Sequence, residues 1–347
     1  MLGEVLDGRY RIVDVLGRGG IAIVYRAQQL LVHERDVAVK ILTSTRASTA
    51  QRFETEARII ARLRHPNTLK LLDSGRTPDG RLYLVTECLH GTSLAQRLAD
   101  GPISALATVR IMAQVAEALI EAHEEGVIHR DLKPGNIFLE QVGSQEVVKV
   151  LDFGIAKVFR GEKKIDQLET QAGTVFGTPR YMSPEQAQGL MLDGRSDLYT
   201  LGVVLYELLT GEALFTADSM VALLVKHIAQ APPPLREVRP DLKVDPRLEA
   251  VVMRALAKEP EERYSSVDAL AQALEPFAYA TQRPQPALPG EPARIPPNTT
   301  PPPEVQSDEL GALLTDFLQD LTPLEHLDVE PESPFRGYTP LPEEPQG

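Results

Sequence analysis

The stretch LGRGGIAIVYRA, residues 16–27, fits the pattern G-x-G-x-x-G/A through Gly17, Gly19 and Ala22. Two phosphate-binding structures share this pattern: a strand-to-helix turn that faces a dinucleotide, and a β-hairpin that covers a nucleotide triphosphate. The first requires a helix directly after the glycines, but the residues that follow alternate as they do in a strand. Ile21, Ile23 and Tyr25 alternate with Ala22, Val24 and Arg26. The glycines are therefore expected at the tip of an antiparallel hairpin.

The segments after the hairpin place two charged side chains beside apolar neighbours. RDVAVKIL, residues 35–42, predicts a third strand in which apolar residues flank Lys40, and a lysine so placed needs an anionic partner. TAQRFETEARIIARLRHPN, residues 49–67, predicts a helix with Glu56 at the edge of its apolar face. The Glu56 carboxylate can then meet Lys40 and position its ammonium for phosphate oxygens. These neighbours matter because a glycine-rich hairpin alone could equally be an ordinary turn.

Composition is that of an ordinary globular protein. Hydrophobic residues make up 43% and charged residues 24% of the 347 residues, and no apolar run approaches the ~20 residues that span a bilayer. The N-terminus lacks the apolar segment of a signal peptide, so a cytoplasmic location is expected. The single cysteine, Cys88, fits a reducing compartment and is interpreted as a small core hydrophobe. The formal charge of −13 argues against a nucleic-acid partner.

Two later stretches carry the most specific motifs: VIHRDLKPGNIFL at residues 127–139 and VKVLDFGIAK at residues 148–157. Together with the glycine loop, VAVK and YMSPE, they have the order and the separations found in the protein kinases, which the sequence resembles over about residues 10–275. The stretch GTPRYMSPEQ is most similar to the corresponding stretch of the bacterial Hanks-type serine/threonine kinases. The resemblance implies transfer of the γ-phosphate of ATP to Ser/Thr hydroxyls of proteins, with Mg²⁺ or Mn²⁺.

The fold implied by the resemblance is α+β and bilobal, with a kinase domain at residues 10–278. A small β-rich N-lobe with one main helix, about residues 10–88, and a larger helical C-lobe, about residues 89–278, would hold ATP between them. Two segments are expected to be C-lobe helices, because residues 107–126 carry an apolar stripe and residues 196–211 are nearly apolar throughout.

The catalytic residues are assigned by the same resemblance. Asp131 would accept or orient the proton of the attacking hydroxyl, and Lys133 would neutralise charge on the transferring phosphoryl group. Asn136 and Asp152 would hold the metal ion. Thr178 would hydrogen-bond Asp131 and Lys133 and shape a shallow site for a short hydroxyl. Lys133 also marks the serine/threonine branch of the family.

The nucleotide pocket follows from the same alignment of motifs. Lys40, held by Glu56, would bind the α- and β-phosphates. Thr86 corresponds to the gatekeeper residue, and Glu87 and Leu89 would offer backbone groups to the adenine base. The remaining residues expected around ATP belong to the glycine loop and to the walls of the adenine pocket: Leu16, Gly17, Gly19, Gly20, Val24, Ala38 and Phe138.

Activation is expected to involve the segment QLETQAGTVFG, residues 167–177. Thr170 and Thr174 would be autophosphorylated there, Thr174 in preference. Arg130 and Lys157 would bind the phosphate, since two facing cations repel each other until an anion arrives.

Four residues are expected to support the site without touching the reacting atoms. Glu185 should pair with Arg263, and Asp197 should hold the backbone of the catalytic loop by hydrogen bonds. His129 should pack beneath the DFG turn instead of binding metal or acting as a base.

Two other function classes share parts of this pattern. A pseudokinase scaffold would bind partners without transferring phosphate, but the charged residues that catalysis needs are all present. A small-molecule phosphotransferase of the antibiotic-kinase type lacks the long protein-docking segment that spans residues 155–183 here. Protein substrates are therefore the expected partners, with no membrane span, and the sequence leaves dimerisation open.

Proline and charge change abruptly near residue 280. Residues 281–347 hold 15 of the 28 prolines and 12 acidic residues against three arginines, which predicts a disordered acidic tail with an extended spacer at 281–305. Within the tail, SDELGALLTDFLQDL, residues 307–321, predicts a short amphipathic helix. That helix could dock a partner or pack on the kinase domain. The proline-rich run at 231–240 is instead expected to be an ordered loop.

Overall fold

The computed structural model describes residues 1–19, 22–31, 35–43, 47–153 and 179–278. Six strands form one antiparallel sheet in the order β1-β2-β3-β4-β6-β5. The strands are β1 (Val5–Leu6), β2 (Tyr10–Arg18), β3 (Ala22–Gln29), β4 (Arg35–Leu42), β5 (Leu71–Arg76) and β6 (Leu82–Glu87). Helix α1 (Ala47–Ile60) lies between β4 and β5 in the chain.

The hairpin predicted from the glycine-rich stretch is formed by β2 and β3. Gly17 pairs with Val24, Arg18 pairs with Ile23, and the Gly19 N–H donates to the Ala22 carbonyl over 2.9 Å. The backbone therefore reverses direction at the glycines and continues as a strand, which confirms the hairpin and excludes a strand-to-helix turn.

Both faces of this sheet are covered, as the alternation within β6 illustrates. Leu82 and Leu84 belong to a cluster with Phe53 of α1, whereas the intervening Tyr83 and Val85 belong to a second cluster on the opposite face. Successive side chains of a strand point to opposite faces, so one strand contributes to two apolar layers.

Helix α1 is shorter than the sequence indicated. The apolar pattern extended the expected helix to residue 67, but α1 ends at Ile60 and is followed by a turn ahead of Pro66. Pro66 disfavours the helical conformation at His65, so the helix cannot reach residue 67, although proline does not explain its end at Ile60.

The C-terminal part contains a small sheet, in the order β7-β8-β9, and most of the helices. Its strands are β7 (Gly91–Ser93), β8 (Ile137–Val142) and β9 (Gln145–Val150). Its helices are α2 (Leu94–Ala99), α3 (Ala105–Glu124), α4 (Pro184–Gln188), α5 (Arg195–Thr210), α6 (Met220–Ala229), α7 (Leu235–Val238), α8 (Pro246–Ala255) and α9 (Val267–Ala278).

Helices α3 and α5 form the centre of this part, as their sequences predicted. The expected stripe of α3 is buried: Val109, Met112, Val115, Ala116 and Leu119. In α5 every residue from Ser196 to Thr210 is buried. A helix that is apolar on all sides must be surrounded by protein, and α5 is packed against α3, α7, α8 and α9.

Three further expectations meet the structure here. The proline-rich run 231–240 is ordered, but it contains the helix α7, so describing it as a loop was wrong in that detail. Cys88 is only half-buried, not a core residue, and burial raises the pKa of its thiol. No helix of the described residues is both long enough and apolar enough to cross a membrane.

Candidate active site

The motif HRDLKPGN forms the loop between α3 and β8. The Lys133 Nζ lies 3.1 Å from Asp131 Oδ2. Asn136 closes a short 3₁₀ turn, Pro134–Asn136, and its Nδ2 donates to the Asp131 carbonyl over 2.9 Å. These bonds gather a carboxylate, an ammonium and an amide within one short loop, as the sequence predicted.

Asp197, at the start of α5, holds the backbone of this loop. Its Oδ2 accepts from the His129 N–H over 2.8 Å, and its Oδ1 accepts from the Arg130 N–H over 3.0 Å. His123 Nε2 lies 2.7 Å from Oδ2, and it must carry the proton because a carboxylate can only accept. Burial alone would raise the pKa of Asp197, but the bond from His123 and the surrounding donors hold it below its usual value. The prediction for Asp197 is confirmed, while the contribution of His123 was not foreseen.

His129 is packed beneath the turn that carries Asp152 and Phe153. Its ring is fully buried and lies 4.7 Å from the Phe153 ring between centroids, and its Nε2 lies 3.1 Å from the Leu151 carbonyl oxygen. Burial lowers the pKa of His129, so the imidazole is neutral near pH 7. A buried, neutral ring in this position supports the loop and does not act as an exposed base.

Lys40 and Asp152 meet across the site. Lys40 lies in β4, opposite Val24 of the hairpin, and its Nζ is 2.7 Å from Asp152 Oδ1. Asp152 follows β9 with a φ of 47°, a left-handed backbone that is uncommon for residues other than glycine. The Lys40 ammonium holds the pKa of Asp152 below its usual value, so this carboxylate is ionised. The side chain of Glu56, the partner expected for Lys40, lies outside the described side chains.

The oxygen donors at this place suit a hard divalent cation. Asn136 Nδ2 donates to Asp131, so Oδ1 is the atom of this side chain that could bind a cation, and the half-exposed Asp152 offers a carboxylate. Mg²⁺ typically takes one or two such protein oxygens together with substrate phosphates. Among the described residues no group of three or more His, Cys, Asp and Glu side chains could hold a metal ion without such help.

The residues expected around the adenine base include members of β4, β6 and β8. Ala38 of β4 pairs with Thr86 of β6, and Thr86 is buried. Phe138 lies in β8, opposite Lys149. Among the described glycine-loop residues, Leu16 and Gly19 are exposed.

Glu87 has partners that sequence reasoning did not find. Its Oε1 accepts from Lys149 Nζ over 2.7 Å and from the Lys70 N–H over 3.0 Å, and its own N–H donates to the Lys70 carbonyl over 3.2 Å. The Glu87 N–H is therefore occupied, and the Glu87 carbonyl accepts from the Thr86 hydroxyl over 3.3 Å. Lys149 is 62 residues away in the chain, so no local pattern could indicate this pair.

The predicted pair of Glu185 and Arg263 is confirmed. The Arg263 guanidinium donates to both carboxylate oxygens over 2.8 and 2.9 Å, and both residues are buried. Ser196 donates to Glu185 Oε1 over 2.6 Å. Although burial alone would raise the pKa of Glu185, the bonds from Arg263 and Ser196 outweigh it and keep the pKa low. Helix α4 is thereby fixed to the start of α5.

Several predicted site residues lie outside the described residues. They are Gly20 of the glycine loop, Thr178, the two candidate phosphosites Thr170 and Thr174, the cation Lys157 and the whole tail from residue 281. Of the group assigned to phosphate binding, Arg130 is described. It is half-buried with a φ of 64°, and burial lowers the pKa of its guanidinium.

Comparison with known families agrees with this geometry. A model of the protein kinase domain matches residues 10–274. The chain belongs to the protein kinase family. The kinase is 44% identical to the serine/threonine-protein kinase pkn3 of Myxococcus xanthus over 279 residues, which are 79% of this chain and 51% of that protein.

Other bacterial relatives match the same part of the chain. The kinase is 44% identical to Pkn1 of Myxococcus xanthus over 77% of this chain and 38% of that protein. It is 42% identical to PknB of Mycolicibacterium smegmatis over 75% of this chain and 41% of that protein. All three relatives are named serine/threonine-protein kinases, and this chain spans about half of their length or less.

Proposed function

We propose that this chain is an ATP-dependent protein kinase that phosphorylates serine and threonine hydroxyls. The observation that carries the proposal is the set of charged groups assembled from distant parts of the chain. Asp131 lies beside Lys133 and Asn136, and Lys40 reaches Asp152 over 2.7 Å although 112 residues separate them. The relatives named as serine/threonine kinases support the same conclusion.

Phosphate transfer needs little covalent help from the protein and much positioning and charge neutralisation. Asp131 accepts the proton of the substrate hydroxyl, because its carboxylate is the acceptor held at the centre of the loop. Lys133, 3.1 Å from that carboxylate, places a positive charge where the γ-phosphoryl group passes. Lys40 binds the α- and β-phosphates, with Glu56 as its support.

Asn136 and Asp152 would hold the divalent cation, Mg²⁺ or Mn²⁺, which supplies charge neutralisation at the phosphates when bound. Thr178 would contact Asp131 and Lys133 from the substrate side. The adenine base would lie between Val24, Ala38 and Phe138. Leu16, Gly17, Gly19 and Gly20 of the glycine loop would cover the nucleotide. Thr86 would lie at the rear of the adenine pocket, and the backbone of Glu87 and Leu89 would face the base.

We further propose that the kinase is activated by autophosphorylation at Thr174, Thr170 or both. Arg130 is half-buried, and burial lowers the pKa of its guanidinium, so a nearby phosphate would stabilise its charge. Lys157 would supply the second cation. Mass spectrometry of active enzyme should find the phosphate at these threonines, and fully active enzyme without it would contradict the proposal.

The domain boundaries remain part of the proposal: a kinase domain at 10–278 and a proline-rich acidic tail at 281–347. The segment 307–321 is proposed as a helix that either packs on the kinase domain or docks a substrate or regulator. If it docks a partner, Leu314→Asp and Phe317→Asp in the full chain should abolish phosphorylation of a native substrate without changing the melting temperature. A lower melting temperature would favour packing, and no change in either would refute both.

An assay of ATP turnover with a generic basic protein tests the catalytic assignment. Asp131→Asn and Lys40→Met should each lower the rate of the full chain by at least ~10²-fold, because each removes positioning or charge neutralisation in the transition state. Removing the divalent cation with a chelator should have the same effect. Near-wild-type turnover in either variant would refute the assignment, and ATP binding without turnover in the wild type would indicate a pseudokinase.

A further inference from the structure

Gln186, the middle residue of α4, forms hydrogen bonds through both the oxygen and the nitrogen of its side-chain amide. Its Oε1 accepts from the Ser183 N–H over 3.0 Å, while its own N–H donates to Ser183 Oγ over 3.2 Å. These two bonds form a capping box at the start of α4. Its Nε2 donates over 2.8 Å to the carbonyl oxygen of Arg130, 56 residues earlier in the chain.

Arg130 is a residue whose backbone needs to be held. Its φ of 64° lies in the left-handed region, where side chains other than glycine are disfavoured. Its N–H is bound by Asp197 of α5 over 3.0 Å, and its carbonyl is bound by Gln186 of α4 over 2.8 Å. The peptide groups on both sides of the strained residue are thus fixed by side chains from two different helices. Such a conformation persists where the surroundings over-determine it.

Helix α4 is a rigid support for this contact. Ser183 is fully buried, and Glu185, the residue before Gln186, accepts two hydrogen bonds from the buried Arg263. Gln186 therefore has little freedom to move away from Arg130. The residue after Arg130 is Asp131, so the carbonyl that Gln186 holds belongs to the peptide bond that leads directly to the catalytic carboxylate.

We propose that Gln186 is a positioning residue: it fixes the Arg130–Asp131 peptide bond and thereby aims the Asp131 carboxylate at the substrate hydroxyl. The inference rests on the proposed function, since it concerns the same catalytic loop. It adds a second anchor to the one that Asp197 supplies, and this second anchor comes from α4.

The side-chain amide suggests a specific test. Gln186→Glu keeps an oxygen that can accept from Ser183 and so keeps the capping box, but it replaces the donor to Arg130 with a second acceptor. A carboxylate oxygen then faces the Arg130 carbonyl at a distance suited to a hydrogen bond. The variant removes one contact and adds a negative charge, while the shape of the side chain stays nearly unchanged.

The chain also contains a matched control. Helix α2 begins with the same capping box, in which Gln96 Oε1 accepts from the Ser93 N–H over 2.9 Å and the Gln96 N–H donates to Ser93 Oγ over 3.2 Å. Gln96 lies outside the catalytic loop. Gln96→Glu therefore makes the same chemical change in the same local motif without the bond to Arg130.

The experiment measures kcat and KM for ATP and for a peptide substrate in the full chain. Gln186→Glu should lower kcat by about 10-fold or more, because small misplacements of a catalytic group are costly, while KM for ATP stays within about 2-fold. Gln96→Glu should leave all three constants unchanged. A merely structural role for Gln186 predicts a lower melting temperature with kcat per folded molecule preserved.

Three results would overturn the inference: a wild-type kcat in Gln186→Glu, an equal loss of kcat in Gln96→Glu, or a change confined to KM for ATP. If Gln186→Glu does not fold, Gln186→Met and Gln96→Met replace the pair, because Met removes the side-chain amide without adding charge. Both variants then lose the bond from the side chain to the capping serine, only Gln186→Met also loses the bond to Arg130, and the same split is expected. A wild-type chain that transfers no phosphate would instead count against the proposed function.

Discussion

Replacing Asp197 by Asn tests how the catalytic loop is held. Three donors converge on the Asp197 carboxylate: the N–H groups of His129 and Arg130, and His123 Nε2. An Asn side chain of the same shape has one accepting oxygen and one donating NH₂ group. If its oxygen faces His129 and His123, its NH₂ group faces the Arg130 N–H, and two donors are placed against each other.

The expected cost follows from the number and type of bonds lost. At least one charge-assisted hydrogen bond disappears, and such a bond contributes about 1.5–3 kcal/mol. The N–H of the half-buried Arg130 also loses its partner, so we expect a total loss of about 2–4 kcal/mol in the free energy of unfolding. For a domain of this size that corresponds to a melting temperature lower by about 5–10 °C.

Activity should fall more than stability alone explains. The Arg130 backbone is strained, and releasing its N–H lets the neighbouring Asp131 carboxylate move, so we expect kcat to fall by about 10- to 100-fold at a temperature where the variant is folded. Thermal unfolding and steady-state kinetics measure the two effects on the same preparation.

Asp193→Asn is the matched control for this experiment. Asp193 precedes α5 and binds Arg195 at the surface: the carboxylate of Asp193 accepts from the Arg195 N–H over 2.8 Å and from Arg195 Nε over 2.9 Å. Its replacement makes the same change of charge near the same helix end, and kcat should not change. The reasoning would be refuted if Asp197→Asn kept both the melting temperature and the kcat of the wild type, or if Asp193→Asn matched its loss of activity.

Two further predictions concern buried charge in the C-terminal part. Glu185→Ala leaves the buried Arg263 guanidinium without its carboxylate and should lower the free energy of unfolding by about 3–5 kcal/mol. The exposed Glu261→Ala, which loses a surface pair with Arg195, should cost less than about 1 kcal/mol in the same denaturant titration; equal costs would contradict the argument. Burial, with a smaller contribution from Lys258, lowers the pKa of His227 to about 4, so the unfolded chain takes up a proton near pH 6.5 before the folded one does. The contribution of this residue to the free energy of unfolding is complete above pH 6.5 and falls by about 3 kcal/mol as the pH falls towards 4. His227→Phe should therefore make the melting temperature less dependent on pH over that range. An unchanged dependence of the melting temperature on pH would count against the argument.

The sequence predicted features that depend on local periodicity. Alternating side chains after Gly19 predicted the β2–β3 hairpin, and the apolar stripe from Val109 to Leu119 predicted α3, because each pattern repeats with the period of its own element. Motif order predicted that Lys40 and Asp152 would share a site, and the structure brings them to 2.7 Å.

Features that depend on contacts between distant segments were not predicted. Glu87 pairs with Lys149, His123 binds Asp197, and Gln186 reaches Arg130, in each case across more than 50 residues. No periodic pattern marks the partner of a polar side chain that lies in another element. The β8–β9 hairpin was also not predicted; its two strands are only six residues each.

Phosphoamino-acid analysis after incubation with γ-labelled ATP and Mg²⁺ tests the central claim most directly. The full chain, mixed with a generic basic protein, should place the label on serine and threonine, and Asp131→Asn should remove at least ~10²-fold of it while ATP binding is retained. Label on tyrosine, label equally present with Asp131→Asn, or a wild-type chain that labels no protein would contradict the account.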